Sequence, residues 1–273
     1  MRQNLKLYTI LLLSLFLISI VLFSCSSNKL RADLSPEERM EAALKMFQKK
    51  HYLDAKTQFR IITLSHSGSA IADKAQFYLA ECHFYLKEYI LAASEYQRLI
   101  KTFPSSEYVD DAKYKLGLCY FKLSPKYSLD QEYTIKAIQQ FQEFLEDYHN
   151  SPLAPEVQEK LVEARTKLAH KVYAAADQYR KMGIYKSAII YYDLVLQKYY
   201  DSKFAPKALY WSGICYEKLD QYDEALDVFQ NFVKKYPKDE MVSRANREIK
   251  KLKEKIQKRV ETAARVESAG SEN

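Results

Sequence analysis

Glycine and proline are scarce in this chain of 273 residues, at five and seven copies. A β-sandwich or barrel reverses direction many times and needs Gly, Pro and Asn to do so. The shortage therefore argues against an all-β architecture and for helices joined by short connections. Signatures of catalysis are missing as well. There is no GxGxxG, phosphate loop or GxSxG motif. The five histidines (51, 66, 83, 149 and 170) form no HxxxH or HExxH pair suited to zinc. Among the paired carboxylates, Asp110-Asp111 lies in a helix's first turn, where negative charge suits the dipole, and Glu146-Asp147 lies at a helix end. The formal charge is +7, and removing Arg2 and Lys6 with the first 24 residues leaves +5. That excess is too small to argue for nucleic acid. The expectation is a protein that is not an enzyme, with no metal site and no nucleic-acid partner.

Only one long apolar run is present. Arg2 and Lys6 precede an almost wholly apolar stretch over residues 7–23. It is short for a membrane span, which takes about 20 residues, and reads as a secretory signal. The stretch ends in Leu22-Phe23-Ser24-Cys25, which resembles a bacterial lipobox. That resemblance implies a diacylglycerol on the Cys25 sulfur, cleavage before it, and an N-acyl chain on the freed amino group. Two or more chains give stable anchoring where one is marginal. The competing reading is an uncleaved helical anchor with an incidental cysteine. Ser26 and Ser27 stand where an Asp would imply retention in the inner membrane, so they imply the outer membrane and its periplasmic face.

Against these shortages stands a repeat. Five segments share a small residue in a first helix (Ala43, Ala80, Gly117, Ala176, Gly213) and an alanine in the next (Ala55, Ala92, Ala137, Ala188, Ala225). An aromatic follows one turn later (Phe59, Tyr96, Phe141, Tyr192, Phe229). The alanines are 37, 45, 51 and 37 residues apart. An insertion at 124–130 and a longer helix before Ala176 explain the two wide gaps. The expected packing sets the small residue against the alanine, so that two antiparallel helices approach closely, with the aromatic filling the space to the next pair. Tyr52, Tyr89, Tyr185 and Tyr222 begin second helices, and Pro104 and Pro237 stop two of them. Repeats one, three and four have Ser67, His149 and Tyr200 in place of that proline. The pattern resembles the tetratricopeptide repeat, carried in repeat two by Ala80, His83, Ala92, Tyr96 and Pro104 and in repeat five by Gly213, Tyr216, Ala225, Phe229 and Pro237.

The implied fold is all-α, an α-solenoid of five tetratricopeptide-like hairpins with a C-terminal capping helix. Its expected parts are a signal peptide (1–24), a lipidated tether (25–35), repeats one to three (36–150), repeats four and five (151–237), and a charged helix with a disordered tail (238–273, disorder from 267). Residues 153–182 lack Gly, and lack Pro after Pro155, which predicts one helix of about eight turns. Cys82, Cys119 and Cys215 occupy one repeat position. Neighbouring copies of that position lie on the order of 10 Å apart, beyond the ~7 Å a disulfide allows, so all three read as small apolar fillers.

In this repeat type the first helices line a concave groove. The candidate peptide-binding residues there are Phe77, Glu81, Phe84, Tyr85, Tyr114, Leu118 and Phe121. Tyr210, Ile214, Glu217 and Lys218 are the partner-binding candidates of repeat five. Aromatics make peptide contacts at low entropic cost, and the competing reading packs each against a neighbouring repeat. In the basic tail around Lys250, Lys251, Lys253, Lys255, Lys258 and Arg259, the stripe Ile249, Leu252, Ile256 suggests docking as a solenoid cap. The remaining face is either merely solvated or a contact for a partner or anionic lipid.

From the lipobox to about Pro237 the chain resembles the outer-membrane β-barrel assembly lipoprotein family, BamD. The most specific stretch runs through Ala137, Phe141, Phe144, Tyr148, Asn150-Ser151, Leu161, Leu168-Ala169, Ala176, Tyr179, Gly183, Tyr185 and Ala188, with Asp130 at its head. Ile190-Tyr191 replaces the Asn-Arg pair frequent in the family, and the basic C-terminal helix is longer. The resemblance implies a scaffold on the periplasmic side of the outer membrane, within the BAM complex. It implies contact with a BamA-like insertase and other BAM lipoproteins, mainly through the C-terminal repeats. Unfolded outer-membrane barrel proteins would be received along Phe77, Phe84, Tyr85, Tyr114 and Phe121. No cofactor is implied beyond the acyl chains on Cys25. The rival readings are a periplasmic repeat lipoprotein of the cell-envelope or peptidoglycan machinery, and an enzyme regulator or lipoprotein enzyme with helical repeats.

Overall fold

Short connections and one repeated register produce a chain of helical hairpins. The structure, a computed structural model, describes residues 34–270, with side chains through 262. The signal stretch and Cys25 lie outside the described residues. Eleven helices and no strand occur among the described residues. They pair as α1 (Pro36–Gln48) with α2 (Tyr52–Ser65), α3 (Ala72–Tyr85) with α4 (Tyr89–Thr102), and α5 (Val109–Leu123) with α6 (Glu132–Asp147). Then come α7 (Ala154–Lys181) with α8 (Tyr185–Lys198), α9 (Ala205–Lys218) with α10 (Tyr222–Lys235), and finally α11 (Val242–Gly270). Every substantial contact joins helices adjacent in sequence, which is the one-dimensional packing of a solenoid.

Two recurrent turns set the hairpin geometry. After the first helix of repeats one, two, four and five comes one left-handed residue: Lys50, Lys87, Gly183 and Asp220, with φ of 61°, 62°, 77° and 58°. At each, the N–H bonds the carbonyl three residues back and the next N–H bonds five back, as in Lys87→Phe84 and Glu88→His83, both 2.9 Å. This Schellman arrangement satisfies carbonyls that a helix end leaves open. Repeat three replaces it with the expected insertion, and Ser124 is extended there.

The second turn differs from the proline-based expectation. In all five repeats the residue fourteen after the register alanine is Ser69, Ser106, Ser151, Ser202 or Asp239. Each donates its N–H to the preceding helix's cap residue, and each carbonyl accepts from the residue that opens the next helix, as in Ser106→Phe103 and Val109→Ser106. The side-chain oxygens of Ser106, Ser151, Ser202 and Asp239 also accept from the N–H two residues on. Small local acceptors of this kind fix turns without proline. Repeats lacking the proline therefore end in the same way as those that have it.

At the two repeats where the small first-helix residue is glycine, its nearest neighbour across the hairpin is the aromatic ring. A Cβ added to Gly117 would lie 2.6 and 2.7 Å from the Phe141 ring, and one added to Gly213 2.9 Å from the Phe229 ring. The second-helix alanine and the aromatic are both fully buried in every repeat. The helix α7 runs for 28 residues, and its N-terminal half packs Val157 and Leu161 with Phe141 and Phe144 of repeat three. Its C-terminal half carries Ala169 and Ala176 into the core of repeat four, so one rigid rod belongs to both cores. The last helix packs Ala245 and Leu252 onto repeat five. Its backbone stays helical to Gly270, beyond 267 where disorder was expected, because no Gly or Pro interrupts it earlier.

Candidate functional site

The candidate groove residues separate by their place relative to the small residue. Three residues before it stand Phe77, Tyr114 and Tyr210, and all three are buried. Phe77 stacks on Tyr108 of the next hairpin's approach at 4.9 Å. The Tyr114 hydroxyl donates to Glu156 of α7 at 2.5 Å, and the ring lies 6.3 Å from both Phe141 and Phe144. Tyr210 meets Phe229 and Phe232 edge-on and shares their core with Met241 and Leu252 at and beyond the start of the C-terminal segment. Residues at i and i+3 share a helix stripe, so this position follows the small residue into the interface. These three join repeats and do not line an open face.

Glu81, one residue past Ala80, is buried too. It accepts from the Tyr96 hydroxyl and lies 3.0 Å from Lys115 of α5. Burial, then the Glu81 charge, drives the Tyr96 hydroxyl well above the usual phenol range. The pair ties repeat two to repeat three. It also brings the Lys115 ammonium over the rings of Phe84 and Tyr85, at 5.0 and 5.7 Å.

What stays accessible lies mostly four and five residues past the small residue, with Leu118, one residue past Gly117, beside it. Tyr85 is 46 % exposed and stacks on Tyr52 at 4.9 Å with nearly parallel planes. Phe47 meets both rings edge-on. Phe84 is half-buried beside Tyr89. Leu118 and Phe121 are half-buried as well, and Lys167 of α7 stands 5.1 Å over the Phe121 ring. Repeats one to three thus present a strip of ring faces and edges crossed by two ammonium groups.

A cleft that the sequence reading missed adjoins this strip. The insertion between α5 and α6 folds back on α7, with the Lys167 ammonium on Ser124 and the Lys171 ammonium on the Leu129 carbonyl. Tyr127 stacks on His170 at 3.5 Å, and His170 stacks on Phe204 at 4.7 Å. Beside this stack is a space of about 440 Å³ walled by Lys126, Lys167, Lys203, Ser128 and Thr166. Burial, then the nearby Lys203 charge, lowers the His170 pKa, and burial lowers that of Lys167. The signal in the sequence is the insertion at 124–130 itself, whose length says that it interrupts the repeat but not that it folds back on α7.

The repeat-five candidates are partly occupied by the chain's own last helix. Glu217 accepts from Lys255 at 2.7 Å, Tyr210 is covered, Ile214 is half-buried, and Lys218 stays exposed. Arg259 donates to the Asp220 carbonyl and lies over Tyr222.

The three described cysteines are free and buried. Burial pushes the thiol pKa to about 12 at Cys82 and about 11 at Cys215, and upward at Cys119 as well. No cluster of three or more His, Cys, Asp or Glu side chains arranged for a metal occurs among the described residues. Among the same residues no helix is long and apolar enough to cross a membrane.

Among solved structures, the chain is similar to the TPR2AB domain of yeast Sti1 in its pHSP90 complex. The identity is 13 %, with 82 % of this chain and 84 % of that chain covered and a TM-score of 0.43. It is also similar to a tetratricopeptide repeat protein from Parabacteroides merdae ATCC 43184, at 14 % identity over 87 % of this chain and 80 % of that chain, with a TM-score of 0.36. No curated protein matches the chain. The sequence profile of YfiO, described as an outer membrane lipoprotein, matches residues 32–225. That span holds four complete hairpins and reaches the register alanine of the fifth, so the chain belongs to the YfiO family of outer membrane lipoproteins.

Proposed function

We propose that the chain is a scaffold subunit of the outer-membrane β-barrel assembly complex, holding unfolded barrel segments and an insertase by binding and carrying out no catalysis. The observation that carries this reading is the accessible aromatic strip of repeats one to three, Phe47, Tyr52, Phe84, Tyr85 and Phe121, with Lys115 and Lys167 over it. Stacked rings fixed by their neighbours lose little rotamer freedom when an extended chain lies across them. The Lys167 ammonium, held by the neutral Ser124 hydroxyl, favours carboxylates on the passing segment, while Lys115 is already paired with Glu81, and apolar side chains are left to the rings. A barrel strand alternates apolar and polar residues, so it can offer one face to the rings and keep the other in water. Membership of a family of outer membrane lipoproteins supports an outer-membrane location for such a scaffold, and the acyl chains proposed for Cys25 would hold it there.

The insertase is assigned to repeats four and five, at Ile214 and Lys218 and the neighbouring part of α11. Glu217 and Tyr210 contribute there only if α11 moves, because Lys255 and the α11 stripe now engage them.

The test is photocrosslinking in cells from positions 85 and 121, with position 190 on α8 as the control. Capture of barrel precursors from 85 and 121 alone is the expected result. Depletion of the protein should lower outer-membrane barrel content before other envelope defects develop. Loss of envelope integrity with barrel content intact would instead favour a scaffold of the peptidoglycan machinery.

A further inference from the structure

In a solenoid of hairpins, the turns that follow the first helices lie along one edge, and half of the large exposed apolar side chains among the described residues gather there, while others such as Leu64, Ile190 and Tyr200 stand elsewhere. Two residues before the register alanine stand Leu53, Ile90 and Ile135 in repeats one to three, 63 %, 62 % and 48 % exposed. The same edge continues through Leu129 of the insertion and through Met182 and Ile184 in the repeat-four turn, all exposed. Folding gains nothing from leaving six large side chains in water. An apolar row that recurs at one register position marks a contact.

Lysines border the row. Lys50 and Lys87 are exposed and occupy the left-handed turn position three residues before Leu53 and Ile90. A side chain there costs backbone energy that glycine avoids, and Gly183 fills the equivalent place in repeat four. Repeat five breaks the pattern. Its turn has Asp220, its apolar position has Asp223, and the cations of α11 cover it at Tyr222. The edge is therefore apolar over four repeats, with exposed lysines in the turns of repeats one and two and the acids Asp130 and Glu132 beside it in repeat three, and it is acidic at the fifth.

We infer that the turn edge of repeats one to four rests on the lipid headgroups of the membrane that anchors the protein, as a second contact beside the acylated N-terminus. Leu and Ile with flanking Lys is the composition that seats a surface element about 5–10 Å into the headgroup boundary of an anionic bilayer. The chain also permits it. Ten residues lie between Cys25 and Pro36, so the eleven backbone steps from one to the other reach at most about 38 Å. The 13-residue α1 then spans about 20 Å to the first of these turns. A membrane lying along this edge would leave the first-helix strip open to incoming chains.

The experiment uses the acylated full-length protein in vesicles of phosphatidylethanolamine and phosphatidylglycerol. Single labels are placed by Leu53→Cys, Ile90→Cys, Ile135→Cys and, as the control, Asp223→Cys. The native thiols are buried and do not compete. A polarity-sensitive dye at 53, 90 and 135 should shift to the blue, and a lipid carrying a shallow nitroxide should quench it about twofold, the depth expected of an interfacial contact. The label at 223 should stay wet and unquenched. Equal exposure to water at all four sites overturns the inference, and so does equal quenching at all four. Protection of 53 and 90 by an added insertase, without quenching in vesicles, also overturns it and assigns the edge to a protein. A Leu53→Asp, Ile90→Asp double variant with an unchanged circular dichroism spectrum should lose the quenching at 135.

Discussion

Adding one carbon at Gly117 discriminates between the two ways a small residue can serve this repeat. A glycine inside a helix normally costs about 0.5–1 kcal/mol relative to alanine, so in open space Gly117→Ala would stabilise α5. Here the new Cβ would sit 2.6 Å from Phe141 Cε1 and 2.7 Å from Cδ1, whereas carbons pack at about 3.5–4 Å. The ring would have to retreat by about 1 Å. It is fully buried, with Tyr114 at 6.3 Å and Phe121 at 6.4 Å between centroids. Overpacking of this kind costs about 1–3 kcal/mol. Setting the helix gain against it leaves Gly117→Ala destabilising by about 1–2 kcal/mol.

Urea denaturation followed by circular dichroism reads the change, with hydrogen exchange on α5 and α6 to localise it. Hydrogen exchange is needed because a solenoid can lose repeats separately. Gly68→Ala is the control, since nothing lies within 4 Å of a Cβ there, and it should be neutral or slightly stabilising. Phe141→Leu alone should cost about 1–2 kcal/mol through lost burial. Combined with Gly117→Ala it should cost less than the sum, by roughly 1 kcal/mol, because the smaller side chain makes room. A Gly117→Ala protein as stable as the parent, or additive single and double variants, would refute the seating of small residue on ring.

Four further outcomes follow from the same contacts. Lys87→Gly should raise stability by about 0.5–1 kcal/mol by relieving the left-handed side chain, and a lower urea midpoint would contradict this. Glu81→Ala leaves Lys115 and the Tyr96 hydroxyl without their acceptor, so it should cost about 2–3 kcal/mol. Because Glu81 is buried, that loss should persist in high salt, which denaturation in added NaCl will show. His83 is held below its ordinary pKa, chiefly by burial, against the Glu88 hydrogen bond. The unfolded chain therefore binds the proton first, and stability is full above about 6.5 and falls as pH drops toward the folded value. His83→Tyr installs the residue that repeats three to five carry at Tyr120, Tyr179 and Tyr216 and should flatten that slope in denaturation from pH 7 to pH 5.5. Thiol reagents at pH 8 should leave Cys82, Cys119 and Cys215 unmodified until urea unfolds the chain, since the folded thiols are buried with raised pKa values.

The hairpins were legible because their register is written in residue size, and size is constrained wherever helices touch. Ala55, Phe59 and their equivalents can occupy only one kind of place, and the 28-residue α7 followed from an absence of breakers. The turns were less legible. Proline drew attention at two of them, while the Ser or Asp fourteen residues after each alanine shapes all five. The groove was the least legible part. Phe77 and Phe84 are seven residues apart on one helix, yet Phe77 is buried by Tyr108 and Phe84 is left half-open. About 20° of rotation separates them on an ideal helix. What decides is whether the next hairpin reaches that far along the axis. Such reach depends on the superhelical stagger between repeats, and residue type does not encode it.

The two ends of the solenoid are not equivalent as binding surfaces, and α11 is the reason. Every hairpin but the last has its open side covered by the following first helix. Repeat five is covered by α11, which buries Ala245 and Leu252 and sets Lys255 on Glu217 and Arg259 on the Asp220 carbonyl. Lys255 and Glu217 remain partly in water, at 45 % and 17 % side-chain exposure, where such a pair contributes at most about 1 kcal/mol. The apolar stripe therefore does most of the docking, and the ion pair sets its register. Arg259 and Tyr222 flank a space of about 210 Å³ with Ile256 and Val260, so the contact thins toward the free end of α11. A partner that engages Lys218 and Ile214 competes with the thin end of this contact and need not displace the stripe. Truncation after Gln257 should then leave repeat five folded and, if the proposed insertase docks at Ile214 and Lys218, raise its affinity severalfold, as isothermal titration would measure. If the truncated chain instead bound more weakly, the outer part of α11 would itself be the contact.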